Sequence, residues 1–360
     1  MGETNNTILI ICEGEKTEPL FFNAIRDRLL DNKYNNEARN IKLTIAPEPL
    51  VESDEKQDTK IKHKPKRKKR KTKKVEGIIP IEDGQPPLRW VKTAQRELMT
   101  GAYDEVWAVF DNDNHPARKE ALLEAKRDIN GKIVNIAYSS LSFEYYLLIH
   151  FERIYRPFTK TDCKQKGKFI RCGTNLYPDK DCNGNICING YAQINNFWNN
   201  SNNENTKQTI NTFSLIENKL EIGFENASWI RFKSDCFQNK IQISDRNPYL
   251  STDKIVKRLI GNDYAYLWIN LNTKYEFKKI GISVKIEDNQ IKIINLSNRT
   301  IIFPDNSISA LTNNKRYKFG NKQVVIVDKE IVIDFSNYII DYDIFQITYK
   351  NFKIMFENKA

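Results

Sequence analysis

The sequence predicts an α/β region, with a parallel sheet flanked by helices, followed by an all-β region. Continuously apolar, β-branched runs are typical of strands buried on both faces, and segments with helical apolar spacing alternate with them. Beyond about residue 263 the pattern changes to short runs rich in Ile, Val, Phe and Tyr, separated by Asn, Asp, Gly and Lys. These runs are typical of a β-sandwich or a small barrel. A chain of 360 residues is long enough for two such domains.

The α/β pattern occupies the first 150 residues. Thr7–Cys12 reads as a buried strand, and Glu18–Leu30 reads as a helix with Pro19 in its first turn, where the missing N–H costs nothing. The alternation continues with strands at Ile41–Ala46, Glu105–Phe110 and Lys132–Tyr138, and helices at Pro87–Met99, Arg118–Ile129 and Phe143–Phe151.

The domain prediction follows from where this pattern stops. Residues 160–205 are rich in Asn, Gly, Asp and Lys, and helical spacing returns in 210–219, 226–232 and 251–259. We therefore expect one domain over 1–262, with a basic, disordered insertion at about 52–76 and a Cys-rich insertion at about 160–205. A β-sandwich-like domain is expected over 263–360.

The excess charge lies in one segment. The chain has a formal net charge of +11, and Lys60–Lys74 holds eleven basic side chains and no acidic one. Outside it, basic and acidic side chains balance at 46 each. This excludes a uniformly basic nucleic-acid-coating protein, so affinity for polyanions elsewhere must come from local patches or a bound metal.

The expected location is the cytoplasm. No window approaches the ~18 apolar residues that a membrane helix needs. The first apolar stretch is short and ends in acidic residues, so a secretory signal is not expected. Reducing conditions then argue against interpreting the six Cys residues as a disulfide framework.

Two acidic motifs each follow a predicted buried strand. Glu13-Gly14-Glu15-Lys16-Thr17-Glu18 follows the first, and Asp111-Asn112-Asp113 follows the strand at 105–110. In an open parallel sheet, the loops after the strands line the crevice where ligands bind.

Clustered carboxylates repel one another unless a cation is present, and hard oxygen ligands suit Mg2+ or Mn2+. Gly14 would let the backbone approach a phosphate, and Lys16 could form an ion pair with it. The alternative is that Asp111 and Asp113 are ordinary loop acids and that Glu13 and Glu18 cap a helix.

Three stretches, CEGEKTEPLFF, VWAVFDNDNHP and SSLSFEYYLLIHFE, together resemble the RloB-like branch of the Toprim superfamily. ENASWIRF and RNPYLSTDKIVKRLI resemble the end of the same domain, so the resemblance covers roughly residues 5–262. It implies a Toprim-like fold with a metal site for phosphodiester chemistry.

By this resemblance, Glu13 matches the invariant glutamate of the family, and Asp111 and Asp113 match its D-x-D pair. Glu18 resembles the second glutamate of the OLD-type E-G-x-T-E motif, from which this sequence departs by one residue. The resemblance further implies a toxic nuclease in abortive infection against phage, controlled by an AAA- or ABC-type ATPase partner.

Three further residues have two interpretations each. His115 is a candidate proton carrier or phosphate ligand, or a solvated loop histidine before Pro116. Glu144 is a candidate site residue, or a helix-end acid that stabilises the helix dipole. His150 lies among apolar residues and is better interpreted as a core histidine.

Four cysteines, Cys163, Cys172, Cys182 and Cys187, fall within 25 residues. A structural Zn2+ would order a segment with so few apolar residues, but the spacing contains no C-x-x-C pair, and chance clustering is the alternative.

The basic segment could contact the phosphate backbone of nucleic acid through Lys66, Arg67, Lys68, Lys69, Arg70 and Lys71. Such contacts carry no sequence specificity, and a solvated loop is the alternative.

The sequence thus predicts a Mg2+- or Mn2+-dependent endonuclease acting on DNA or on tRNA or other RNA, with catalytic candidates Glu13, Lys16, Asp111, Asp113, His115 and Glu144. The competing hypothesis is a non-catalytic sensor or scaffold that binds a partner protein or nucleic acid. The sequence does not predict the oligomeric state.

Overall fold

The computed structural model describes residues 6–31, 33–34, 40–47, 86–112, 115–162, 164–165, 168–169, 184–198, 212–270, 273–287, 290–304, 307–312, 315–319, 323–325, 330–334 and 344–357. The chain divides into two units, Met1–Asn262 and Asp263–Ala360. Among the described residues, no helix has the length and apolar character needed to cross a lipid bilayer.

A mixed sheet forms the centre of the first unit. The strands of this unit are β1 (Asn6–Cys12), β2 (Ile41–Ala46), β3 (Glu105–Asp111), β4 (Asn135–Ser140), β5 (Lys164–Gln165), β6 (Lys168–Phe169) and β7 (Tyr249–Leu250). The sheet order is β2-β1-β3-β4-β7, in which the first four strands are parallel and β7 is antiparallel to β4. The predicted parallel sheet is confirmed, with an added antiparallel edge strand.

Helices cover both faces of this sheet. They are α1 (Thr17–Leu30), α2 (Leu88–Met99), α3 (Arg118–Glu124), α4 (Phe143–Leu148), α5 (Ile188–Ile194), α6 (Thr212–Ile216), α7 (Leu220–Phe237) and α8 (Thr252–Ile260). On one face, Leu9 and Ile11 of β1 share a buried cluster with Val91 and Ala94 of α2. The neighbouring side chains Ile8 and Ile10, which point to the other face, are also fully buried. This two-sided burial explains why β1 is apolar from Ile8 to Cys12.

Aromatic side chains join the helices on the second face. The ring of Phe21 in α1 makes edge-on contacts with Phe143 and Tyr146 of α4 and with Phe213 of α6. All four rings are almost completely buried. β4 is the neighbour of β3, and α4 follows β4 directly. This packing therefore fixes the segment between β4 and α4, next to β3.

The helix α7 is longer than the sequence predicts. The sequence predicts helical spacing only over 226–232 in this region, whereas the helix runs from Leu220 to Phe237 and contains Gly223. A Cβ atom at Gly223 would lie 2.1 Å from Nε2 of His150. The glycine is therefore used for close packing against the His150 ring and not to end a helix.

The second unit consists of short strands. They are β8 (Ala265–Trp268), β9 (Tyr275–Phe277), β10 (Ile282–Glu287), β11 (Gln290–Asn295), β12 (Ile301–Phe303), β13 (Ile308–Thr312), β14 (Lys315–Phe319), β15 (Gln323–Val325), β16 (Glu330–Asp334), β17 (Ile344–Tyr349) and β18 (Phe352–Glu357). Their sheets have the orders β16-β11-β10-β9, β12-β15 and β14-β13-β17-β18-β8. All pairs are antiparallel except β18 with β8.

One apolar core lies between the two larger sheets of this unit. It contains Val284 and Ile293 from the four-stranded sheet and Ile347 and Ile354 from the five-stranded sheet, all essentially inaccessible to solvent. Alternating burial along β11 matches the period of a strand with one face toward a core. The expectation of a β-rich region after the α/β region is confirmed.

Candidate functional site at the carboxyl ends of β1 and β3

The two acidic motifs meet at one edge of the first sheet. β1 and β3 are parallel neighbours, with Cys12 opposite Val109. The backbone N–H of Glu13 continues the pairing by donating to the carbonyl of Val109, at 2.9 Å. Oε2 of Glu13 accepts a weak bond from the backbone N–H of Asp111, at 3.4 Å. Glu13 and Asp111 therefore lie side by side where the two strands end.

Asp111 is held at this edge by the start of α4. Its Oδ2 accepts the backbone N–H of Phe143, at 3.0 Å, and Asn112 donates its own N–H to the carbonyl of Ser139 on β4. The other carboxylate oxygen of Asp111, Oδ1, is buried and has no hydrogen-bond partner. A buried carboxylate oxygen without a donor is costly unless a proton or a cation lies against it.

The charges around Asp111 also favour a proton or a cation at its carboxylate. Burial raises the pKa of its carboxyl well above the usual range, and the negative charges of Glu18, Glu144 and Glu13 raise it further. The hydrogen bond from Phe143 opposes this shift. We call Glu13, Glu18, Asp111 and Glu144 the acidic edge.

Glu18 reaches the acidic edge from the first turn of α1. Its side chain is buried and packs against the loop at Gly14, where a Cβ atom would lie 2.2 Å from Oε2 of Glu18. Gly14 therefore makes room for the Glu18 carboxylate, a role that the sequence did not indicate. Burial raises the pKa of the Cys12 thiol, and the charges of Glu18 and Asp111 raise it further.

His115 lies against Glu13. Its Nε2 is 3.4 Å from Oε1 of Glu13, and about a third of its side chain is exposed. The ring therefore contacts both the acidic edge and solvent. Lys16, immediately before α1, is exposed beside the same loop.

Glu144 lies in the first turn of α4, close enough to raise the pKa of Asp111. The preceding residues Ser140 and Ser142 each place a buried hydroxyl without a hydrogen-bond partner near the end of β4. Asn112, Ser140 and Ser142 are not among the site residues that the sequence predicts. Their only sequence signal is their position next to predicted site residues.

His150 is a core histidine, as the apolar sequence around it suggests. Nδ1 bonds the carbonyl of Tyr146 at 2.8 Å, and the residue is 1% exposed. Burial lowers the pKa of its ring to about 4, so it is neutral at physiological pH.

The donor types of the acidic edge fit a hard divalent cation, because all are carboxylate oxygens and one of them is buried and unpartnered. Within the described ranges, however, no group of three or more His, Cys, Asp or Glu side chains is gathered closely enough to hold a metal ion. Asp113, the second acid of the D-x-D pair, lies outside the described residues.

Two other predictions also fall outside the described residues. The basic segment 60–74, with Lys66, Arg67, Lys68, Lys69, Arg70 and Lys71, is one of them. The zinc hypothesis involves Cys163, Cys172 and Cys182, which are not described, and Cys187, which is buried where α5 begins.

The comparison with protein families matches most of the chain. The model of the family described as RloB-like protein matches residues 8–259, more than half of the chain and all described residues of the acidic edge. Neither a curated protein nor a solved structure matches the chain significantly.

Proposed function

This chain belongs to the RloB-like protein family, and from that membership and its acidic edge we propose that it is a divalent-metal-dependent nuclease of the Toprim type. The proposed reaction is hydrolysis of phosphodiester bonds in DNA or RNA. The observation that carries the proposal is the environment of Asp111, whose buried Oδ1 has no hydrogen-bond partner and whose pKa three neighbouring carboxylates help to raise.

A site of this kind is poorly suited to a purely structural role. A cluster of like charges around a buried carboxylate oxygen that has no donor, the Oδ1 of Asp111, destabilises a fold, and hydrophobic replacements of similar size would be better tolerated. A divalent cation would neutralise the repulsion, and the all-oxygen donor set suits Mg2+ or Mn2+. Carboxyl groups whose pKa is raised in this way cluster at functional sites.

Glu13 and Asp111, with Asp113 by its position in the D-x-D pair, would hold the ion, and Glu18 is the candidate for a second site. When bound, Mg2+ or Mn2+ polarises a phosphoryl oxygen and lowers the pKa of a bound water. The chain's own groups have separate tasks. The Phe143 N–H orients the Asp111 carboxylate through Oδ2 and leaves Oδ1 for the ion.

Two side chains are assigned to the substrate. The exposed Lys16 would bind a phosphate near the scissile bond as a point charge. His115, held against Glu13 and partly open to solvent, would carry a proton to or from the reacting oxygens. The basic segment 60–74 would add nonspecific contacts with the nucleic-acid backbone.

The biological role is also proposed from family membership. We propose that the protein acts in the cytoplasm in abortive infection against phage, and that an AAA- or ABC-type ATPase partner keeps the nuclease inactive until infection. The β-rich unit 263–360 lies beyond the family match, so it is the candidate for contacts specific to this chain.

One observation favours a second candidate function, a sensor or scaffold that binds a partner without catalysis. The described side chains do not gather three metal ligands. Calorimetric titration with Mn2+ separates the two functions, because a scaffold has no need to bind the ion through Glu13 and Asp111.

The test of the proposed nuclease is cleavage of a panel of single- and double-stranded DNA and RNA in the presence of Mg2+. Wild type should cleave at least one member, Asp111→Asn should not, and EDTA should abolish cleavage. Glu120→Gln is the matched control, since it removes one carboxylate charge from an exposed position on α3. Equal cleavage by wild type and Asp111→Asn would disprove the proposed site.

A further inference from the structure

Arg118 joins two separate segments of the chain next to the acidic edge. It is the first residue of α3, and its side chain is 17% exposed. Nη1 donates to the carbonyl of His115 at 3.0 Å, and Nε donates to the carbonyl of Ser244 at 3.3 Å. Nη2 lies 3.5 Å from Oδ1 of Asp245. The guanidinium therefore uses all three of its nitrogens.

The turn around Ser244, which Arg118 contacts, is held by further hydrogen bonds. Ser244 is buried, and its carbonyl also accepts the hydroxyl of Tyr138 on β4, at 2.9 Å. Arg246 fastens the same turn, since its Nε donates to the carbonyl of Ile241 at 2.9 Å and its Nη1 pairs with Asp235. Arg118 therefore ties the backbone at His115 to a turn that is fixed to both β4 and α7.

Arg118 also contacts His115, the residue whose ring touches Glu13. Arg118 bonds the backbone of His115, and the His115 ring lies 3.4 Å from Oε1 of Glu13. The backbone position of a residue decides where its ring can lie, so loss of the Arg118 bonds would release the ring from the acidic edge.

We propose that Arg118 is a positioning residue, which holds the backbone of His115 so that the His115 ring lies against Glu13. This inference rests on the proposed nuclease function, in which His115 carries a proton. Arg118 itself has its donors directed at protein oxygens, so we assign it no contact with the substrate.

The planar guanidinium group, with its donors in a fixed geometry, suits Arg118 to this role. Arginine offers five N–H donors spread over three nitrogens in one plane, whereas the three donors of lysine share one nitrogen and cannot span acceptors on separate segments as widely. Arg118→Ala should lower kcat by about 10- to 100-fold, the loss that a displacement of about 1 Å causes, with KM little changed. Arg118→Lys should recover part of this loss.

A double-mutant cycle tests whether Arg118 acts through His115. Cleavage is measured on the DNA or RNA oligonucleotide that wild type cuts, with Mg2+, for His115→Ala, Arg118→Ala and both together. The double variant should match His115→Ala within about twofold, because the two residues act as one unit. Multiplicative losses, or a wild-type kcat in either single variant, would overturn the inference. Arg127→Ala, at an exposed arginine after α3, is the control and should leave kcat unchanged.

A second measurement does not need activity. The chain has three histidines, so the ring signals of His63, His115 and His150 can be assigned by NMR. Arg118→Ala, and to a smaller extent Arg118→Lys, should shift or broaden the His115 signal and leave that of His150 unchanged. An unaltered His115 signal would overturn the inference. If wild type cleaves nothing, the proposed function fails, and the spectrum still decides whether Arg118 positions the ring.

Discussion

Replacement of Asp111 by Asn should stabilise the metal-free protein while it abolishes the proposed activity. Asn retains a side-chain oxygen that can accept the Phe143 N–H, now 3.0 Å from Oδ2. Replacing the charged acceptor of this hydrogen bond with a neutral one should lower the free energy of unfolding by about 1 kcal/mol. The gain is relief from burial and from the charges of Glu18, Glu144 and Glu13, all of which raise the pKa of Asp111.

The magnitude follows from linkage. Each pKa unit by which folding raises the pKa of a carboxyl costs about 1.4 kcal/mol of stability once the group ionises in the folded protein. Because desolvation and three like charges act together, we expect Asp111→Asn to gain about 1–2 kcal/mol in EDTA near neutral pH, or about 2–4 °C in midpoint for a unit of this size.

The pH dependence has a definite sign. Above the ordinary aspartate range, the folded protein binds more protons at residue 111 than the unfolded chain, so the free energy of unfolding falls as pH rises toward the raised pKa. Asp111→Asn should remove this part of the slope, and Mg2+ should stabilise wild type more than the variant.

The assay is urea denaturation across a series of pH values, in EDTA and in Mg2+. Glu120→Gln, which removes an exposed charge, should change the stability by less than about 0.5 kcal/mol. If Asp111→Asn is destabilised in EDTA, or keeps the wild-type pH slope, then repulsion at the acidic edge is not the dominant energetic feature of Asp111.

Three other predictions concern the support of the site and its substrate. Gly14→Ala should destabilise the protein by about 1–3 kcal/mol in thermal melts, because the new Cβ would lie 2.2 Å from Oε2 of Glu18; Glu18→Ala should rescue it, and a loss that persists would contradict the steric cause. Arg231→Ala should lower the free energy of unfolding by about 3 kcal/mol in urea titrations, because the 1%-exposed Asp253 would lose its bidentate ion pair. A decrease below about 1 kcal/mol would show that the pair is dispensable. Deletion of residues 60–74 should weaken nucleic-acid binding and flatten its dependence on salt; an unchanged salt slope would make the segment a solvated loop.

The convergence of the acidic motifs could be predicted from the sequence. Apolar runs before Glu13 and Asp111 indicate buried strands, and the ends of parallel neighbours lie at the same edge of a sheet. The order of β1 and β3 as direct neighbours is what brings these two carboxylates side by side. That order also explains how Glu144, after β4, comes near Asp111.

Other parts of the site depend on contacts between distant segments. Arg118 and Ser244 are 126 positions apart, and nothing in the local pattern of either residue predicts their bond. Gly14 is a similar case. Glycine is needed at this position because the carboxylate of Glu18, on the next helix, packs against it. Helix ends were also predicted imperfectly: helical spacing indicates only 226–232, whereas α7 spans Leu220–Phe237, with Gly223 packed against His150.

The most direct measurement of the central claim is sequencing of nucleic-acid ends from cells that express wild type beside cells that express Asp111→Asn at the same level. Both DNA and RNA ends are mapped, so the result also identifies the substrate. The proposed nuclease predicts new ends in the wild-type sample that are absent with Asp111→Asn. Identical ends in the two samples would contradict it.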